Sequence, residues 1–144
     1  MAESTPRHSV SVAAAVVRDD GRVLVIQRRD NGKWEPPGGV LELEETIEDG
    51  LRREVLEETG LHVEVEALTG VYKNLERGIV ALVFRCRPRA GKPTKSSEAA
   101  QVQWLSAEEI HEQMDPAYAV RVLDAMDTPG TPAVRSHDGV ELLE

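Results

Sequence analysis

The stretch from Thr46 to Gly60, TIEDGLRREVLEETG, leaves this chain the least freedom in what it can fold into. Thr46 can cap a helix running to Glu58, and Asp49, three residues on, suits the first turn and its dipole. Gly60, just past the end, can take the left-handed conformation that closes a helix. Inside, Glu54, Glu57 and Glu58 stand at i, i+3 and i+4, so three carboxylates point to one side. At about 100° per residue, Glu54 and Glu58 also fall beside Ile47 and Leu51, on the apolar stripe. A fold that buries this stripe must bury acid with it.

Magnitude decides what that requires. Two carboxylates about 5.5 Å apart repel by roughly 3 kcal/mol at an effective dielectric near 20. On an exposed helix, like charges at i,i+4 cost only about 0.2–0.5 kcal/mol. A solvated acidic helix is therefore the reading only for an exposed face, and the stripe turns this one inwards. A half-buried acid cluster calls for a cation. Hard oxygen ligands without paired Cys or His point to Mg2+, with Mn2+ as a substitute.

Arg53 follows Asp49 by four residues and precedes Glu57 by four, so it can brace an acidic ladder. Gly50 costs about 1 kcal/mol relative to Ala in a helix interior. It stands one turn before Glu54, which reads either as room for a close approach or as drift.

Taken from 39 to 61, GVLELEETIEDGLRREVLEETGL resembles the Nudix box in full. Gly39, Glu45, Arg53, Glu54, Val55, Glu57, Glu58, Gly60 and Leu61 stand at G-x5-E-x7-R-E-U-x-E-E-x-G-U, with U aliphatic. At average residue usage such a match arises on the order of once in a billion start positions. The resemblance implies an α/β protein of the Nudix fold, an α/β/α sandwich with a mixed β-sheet. It implies Mg-dependent hydrolysis of nucleoside diphosphates linked to another moiety. Within the box, it makes Glu54, Glu57 and Glu58 metal ligands and has Arg53 orient a catalytic glutamate. Gly39, Glu45 and Gly60 become structural, Glu45 helping to hold the box loop.

Outside the box the resemblance is looser. It suggests the Gly38 carbonyl, after Pro37, as a further metal ligand. It suggests Glu98, ahead of the strand holding Val102 and Trp104, as a metal ligand or general base. Glu54 is the first choice for the base that takes the water's proton, and Glu98 the second. Arg28 and Arg29 resemble the paired arginines of MutT-like members, which favours Arg29 over Arg28 for phosphate; surface solvation is the plain alternative. Lys33, and more weakly Lys73 and Arg77, are further phosphate candidates. Trp34 and Tyr72 are candidates to stack a base, whereas Phe84 and Trp104 suit a core.

The remaining chain reads as one domain over 9–127, followed by a segment, 128–144, without periodicity, expected as a flexible tail or lid. Strands are expected over 9–18 and 22–29, joined by an Asp19-Asp20-Gly21 turn. WEPPGG, 34–39, reads as a loop. Further strands follow the box from His62 to Glu66, continuing less cleanly to Leu75, then over 78–87 and 99–105, with a polar loop over 88–97. Ser106 with Glu109 makes a second capping box, and Pro116 opens a last helix with Ala119, Val120 and Leu123 as core candidates.

A net charge of −9 argues against a duplex-binding protein, which needs a basic stripe, but not against a small nucleotide, whose site can be locally positive. The polar start MAESTPRHS lacks an apolar leader, no run approaches a membrane span, and the single Cys86 excludes an internal disulfide. A cytoplasmic enzyme is expected, with a homodimer common in the family it resembles. The downstream markers that certain Nudix subfamilies carry are missing: Glu76 and Arg77 stand where a proline marks ADP-ribose enzymes, and Gly78 and Ile79 where a tyrosine marks dinucleoside polyphosphates. SQPWPFP does not occur. Elimination favours a nucleoside triphosphate pyrophosphohydrolase, with ADP-ribose or another nucleoside-diphosphate derivative as the alternative. A nucleotide-sensing module without turnover is the competing class; the intact glutamates speak against it.

Overall fold

Three successive alanines, Ala13 to Ala15, mark a strand with little room on either face. In the computed structural model, which describes residues 4–127 and 130–143, this is β1 (Ser9–Val16), buried from Val12 onward. Val12, Ala14 and Val16 enter one core, while Ala13 and Ala15 enter the other. That alternation is the two-residue period of a strand covered on both sides.

The elements follow in order as β2 (Val23–Arg28), β3 (Trp34–Glu35), β4 (Gly38–Val40), α1 (Ile47–Thr59), β5 (Leu61–Asn74) and β6 (Ile79–Gly91). Then come β7 (Ala99–Leu105), α2 (Ala107–Gln113), α3 (Pro116–Met126), β8 (Ala133–His137) and β9 (Leu142–Leu143). Six strands form one sheet in the order β4-β1-β6-β5-β8-β9, and β3-β2-β7 form a second. The β1–β6 and β5–β8 pairs are parallel and the others antiparallel, so the larger sheet is mixed. Leu51 and Val55 of α1 pack with Leu24, Leu61, Val63 and Cys86 on one side. Ile110 of α2 and Ala119, Val122 and Ala125 of α3 pack with Val25, Tyr72 and Val83 on the other. Helices on both faces make the α/β/α sandwich.

Several local expectations change. The Asp19-Asp20-Gly21 turn exists, but β1 and β2 fall in different sheets, linked beside the turn by the Val17–Val23 bridge and packed together in the cores. The 34–39 loop carries β3 and part of β4, because the Gly38–Gly39 backbone pairs with Ala13 and Val12. β6 continues through Pro88 to Gly91, paired with the start of β5, where a polar loop was expected. β5 shifts register three times along β6, which blurred its alternation. Ile47 is 42% exposed, so the buried face of α1 begins at Gly50 and Leu51.

The segment after Asp127 needs the largest correction. Instead of a tail or lid, residues 133–137 form a strand parallel to the end of β5, and β9 pairs back onto it. Its anchors are polar: His137 is fully buried, and Arg135 grips Asp124 of α3 through two bonds of 2.8 Å. A strand next to the sheet's edge and held this way keeps Val134 83% exposed and shows little apolar alternation. Residues 128, 129 and 144 of that segment lie outside the described residues. Among the described residues, no helix is long and apolar enough to cross a membrane.

Candidate active site

α1 is fixed at both ends by its own sequence. The Thr46 hydroxyl accepts from the Asp49 N–H at 3.2 Å, and Gly60, at φ 78°, donates its N–H to Leu56 at 2.9 Å. With the ends set and Leu51 and Val55 in the core, Glu58 has nowhere to go but inward. It is 4% exposed, and its Oε1 accepts from the Gly38 N–H at 2.7 Å. Burial pushes its carboxyl up to about 8; the Gly38 N–H opposes this, and the charges of Glu54, Glu98 and Glu35 reinforce it.

Glu54 is half-buried and also raised, first by burial, with Arg53 pulling the other way and Glu57 and Glu98 adding to the rise. Its carboxylate lies flat against β4. A Cβ on Gly39 would stand 2.5 Å from Glu54 Oε2, so only glycine leaves space there. Glu57 differs from the other two: its side chain is 60% exposed, with Arg53 Nη1 at 3.3 Å. Glu98 is exposed in the loop before β7, and both Glu54 and Glu58 feel its charge.

Arg53 leaves Asp49 to Arg52, which stands 3.5 Å from it. It takes Glu45 instead, through Nε at 2.9 Å and Nη2 at 2.6 Å, and extends Nη1 to Glu54 at 3.0 Å. Such a fork-on-carboxylate pair fixes direction as well as charge. Glu45 also accepts the Glu42 N–H at 2.9 Å, and Arg53 first, then that N–H, hold it down to about 2. Glu45 thus ties the loop before α1 to the arginine that braces Glu54. Gly50 leaves room for this loop: its missing Cβ would meet Leu41 Cδ1 at 2.5 Å and Glu45 Oε1 at 2.8 Å.

Among the described residues, no three acid, imidazole or thiol groups stand gathered tightly enough to enclose a metal. The chemistry of the donors nevertheless fits a hard divalent cation: carboxylate oxygens only, crowded enough that a buried one holds its proton near neutrality. Glu54 and Glu58, with Glu98 in electrostatic reach, are the residues that would hold it. Gly38 reaches the acids through its N–H; its carbonyl as a ligand stays with the proposal below.

The expected substrate residues separate. Strand alternation sends Arg28, not Arg29, into the cleft beside Gly38 and Gly39. There it meets Glu35 at 3.1 Å, and it also holds Asp30 at 2.6 Å. Arg29 turns away and donates to the Ser96 carbonyl at 2.9 Å. Lys33 pairs with Asp115 at 2.7 Å and, with half-buried Trp34, lines a neighbouring hollow. Tyr72 is fully buried and donates its hydroxyl to Asp124 at 2.6 Å, so no face is free to stack a base. α3 covers it, which strand alternation alone does not reveal.

Sequence reasoning missed Glu35, whose buried carboxyl is raised chiefly by burial, and Arg121. The signal for Arg121 was available: Ala117, Arg121 and Ala125, four apart, form one buried stripe of α3. Tyr118 and Asn74 join Glu35 and Arg121 in lining a cleft of about 200 Å³ between β1, β4 and α3.

Comparison with known proteins gives the same outline. A family model described as the NUDIX domain matches residues 7–125. A MutT-like protein of Streptomyces ambofaciens is 62% identical over 99% of this chain and 92% of its own length. An ADP-ribose pyrophosphatase of Methanocaldococcus jannaschii is 30% identical over 68% of this chain and 62% of its own length. A crystal structure of a NUDIX hydrolase from Nitrosomonas europaea superposes with a TM-score of 0.79, covering 93% of this chain and 82% of that one at 23% identity, a likeness of fold.

Proposed function

This chain belongs to the Nudix hydrolases, enzymes acting on nucleoside-diphosphate derivatives, and from that premise we propose that it is a Mg2+-dependent nucleoside triphosphate pyrophosphohydrolase. The observation that carries the reading is the pair of inward carboxyls, Glu54 and Glu58, pressed on the Gly38–Gly39 strand and braced by Arg53. The likeness to the MutT-like Streptomyces protein supports the substrate class.

The family uses divalent metal ions, and a bound Mg2+ supplies charge that offsets the negative oxygens of the transition state. Glu54 and Glu58 would hold it, together with the exposed Glu57; Glu98 and the Gly38 carbonyl would be further ligands. The rest falls to the chain. Water adds to a phosphorus of the anhydride, its proton passes to a carboxylate, and the bridging P–O bond breaks to give nucleoside monophosphate and pyrophosphate. Glu54 takes that proton in this reading, supported by its half-buried, raised carboxyl and by the bond from Arg53, which acts as its positioning residue. Glu98 is the second choice, on a loop and freely solvated. Arg28 meets a phosphate oxygen at the cleft mouth by exchanging its hold on Asp30.

A second reading has a specific support. The 30% identity to an archaeal ADP-ribose pyrophosphatase keeps ADP-ribose as the alternative substrate. Mg2+-dependent hydrolysis of a panel separates them: canonical and oxidised nucleoside triphosphates, ADP-ribose, dinucleoside polyphosphates and nucleotide sugars, with products resolved. The highest kcat/KM is expected on a triphosphate, with pyrophosphate released. Preference for ADP-ribose, or orthophosphate as product, overturns the assignment. No turnover of any member by folded protein overturns the enzyme.

A further inference from the structure

On the α3 side of Gly38 and Gly39, the cleft has an excess of donors. Arg121 is 8% exposed and lines the cleft, yet among the described residues it forms no salt bridge. Its Nε has no hydrogen-bond partner. Its guanidinium lies over Tyr118 at 4.6 Å and Tyr72 at 5.5 Å, contacts with ring faces that supply no hydrogen-bond acceptor to its N–H groups.

His137 does not close the gap. Arg121 Nη2 stands 3.0 Å from its Nε2, and the Gly139 N–H points at its Nδ1 from 2.9 Å. A neutral imidazole accepts at one nitrogen and donates at the other, and a protonated one donates at both. One of the two N–H groups therefore faces a second donor whichever tautomer is present. The corner holds more donors than acceptors, and a guanidinium cannot shed its proton to relieve this. Among the described residues nothing supplies the missing acceptor.

Charge says which kind. Arg28, Arg77 and Arg121 line the cleft against a single acid, Glu35, which Arg28 already holds at 3.1 Å. A neutral acceptor, such as a purine carbonyl edge, would satisfy the open N–H and leave the excess charge. An anion answers both. We propose that this cleft is an anion-accepting subsite, in which Arg121 binds a phosphate or carboxylate carried by the part of the substrate remote from the diphosphate. The subsite rests on the hydrolase reading and, within it, on the nucleoside-diphosphate-derivative alternative, because a nucleoside triphosphate carries no anion beyond its phosphate chain. Gly38 and Gly39 wall both the acids and the cleft.

Two matched pairs test it: UDP-glucose with UDP-glucuronate, which add one carboxylate, and NADH with NADPH, which add one phosphate. The wild-type enzyme is expected to favour the anionic member in kcat/KM by about 10-fold or more, the scale of one charge-assisted bond to a buried partner. Arg121→Gln brings that ratio towards one, and Arg121→Lys keeps part of it. Inorganic phosphate, followed by calorimetry on chelator-treated protein, gives a readout free of turnover: wild type and Glu58→Gln bind it, while Arg121→Gln does not. Arg77→Gln, at an exposed position of the same cleft, weakens phosphate binding without touching the core, and covers the case where Arg121→Gln fails to fold. Phosphate binding retained with no turnover of any substrate sinks the hydrolase reading and leaves the subsite. Equal phosphate binding by wild type and folded Arg121→Gln overturns the subsite. Phosphate binding without preference in either pair overturns its assignment to the substrate. A changed guanine-over-adenine ratio, with the anionic ratio unmoved, replaces the anion by a base edge.

Discussion

Two buried ionisable groups stand on either side of the Gly38–Gly39 strand, and among the described residues neither forms a salt bridge. Glu58, on α1, has other acids for neighbours and one N–H from Gly38. Arg121, on α3, has donors and rings for neighbours and one contested imidazole nitrogen. The acid has an internal remedy, because it can take a proton, and burial has moved it up to about 8 for that reason. The guanidinium has none. The difference separates a site that titrates from one that waits for a ligand, although both arise from an ion placed on the apolar stripe of a helix.

The largest effect is expected from the titrating side. Glu58→Gln keeps the shape and removes the charge, and kcat should fall by at least about 10²-fold, the scale of losing one key electrostatic group. Steady-state kinetics of the folded variant check this. Turnover near wild type would break the comparison, since Glu58 would then be a buried acid without chemistry.

How much of this was legible in the sequence follows the same divide. The caps of α1, the inward turn of Glu54 and Glu58 and the role of Leu51 come from spacing within one helix, where side-chain directions are fixed. Arg121 obeys the same rule at Ala117, Arg121 and Ala125, but the reading of α3 weighed only its apolar residues. Its surroundings were out of reach, because Tyr72, His137 and Glu35 arrive from β5, β8 and β3. β8 was missed because polar anchors hold it and its exposed Val134 breaks no pattern. Arg29 was preferred to Arg28 on the resemblance to paired arginines, because alternation says that the two diverge without saying which faces the cleft.

Stability against pH sharpens the contrast next. Glu58 is raised from 4.5 to about 8, so the folded state binds its proton more tightly than the unfolded chain does. Its contribution is favourable below the unfolded value and is lost as pH rises through about 8. In chelator-treated protein, Glu58→Gln should gain on wild type by about 3–4 kcal/mol between pH 5 and pH 8, at 1.36 kcal/mol per unit. Saturating Mg2+ should shrink that gap. Chemical denaturation at the two pH values measures it, and a gap independent of pH would mean that Glu58 is ionised throughout.

Arg53 is expected to matter less, because it acts through Glu54. Arg53→Lys keeps a charge and loses the fork on Glu45, which should lower kcat by about 10-fold with KM little moved. Glu45→Gln should cost a similar factor, and the double variant should cost little more than either alone. Full additivity in the double variant would show that Glu45 and Arg53 act separately, leaving Glu54 oriented by its helix alone.

The smallest effect asks whether the acid side depends on its loop at all. Gly50→Ala would normally stabilise a helix interior by about 1 kcal/mol. Here the new Cβ would stand 2.5 Å from Leu41 Cδ1 and 2.8 Å from Glu45 Oε1. Leu41 ends in a flexible side chain and can shift. Glu45 cannot shift freely, because Arg53 and the Glu42 N–H both hold its carboxylate. Overpacking costs about 1–3 kcal/mol, so the expected net is a loss of about 1 kcal/mol in denaturation, with a fall in kcat as the fork is displaced. A stabilised variant of full activity would show a loop that yields without disturbing Arg53. The acids would then owe their order to α1 alone, and the two buried charges would be alike in each being held by a single helix.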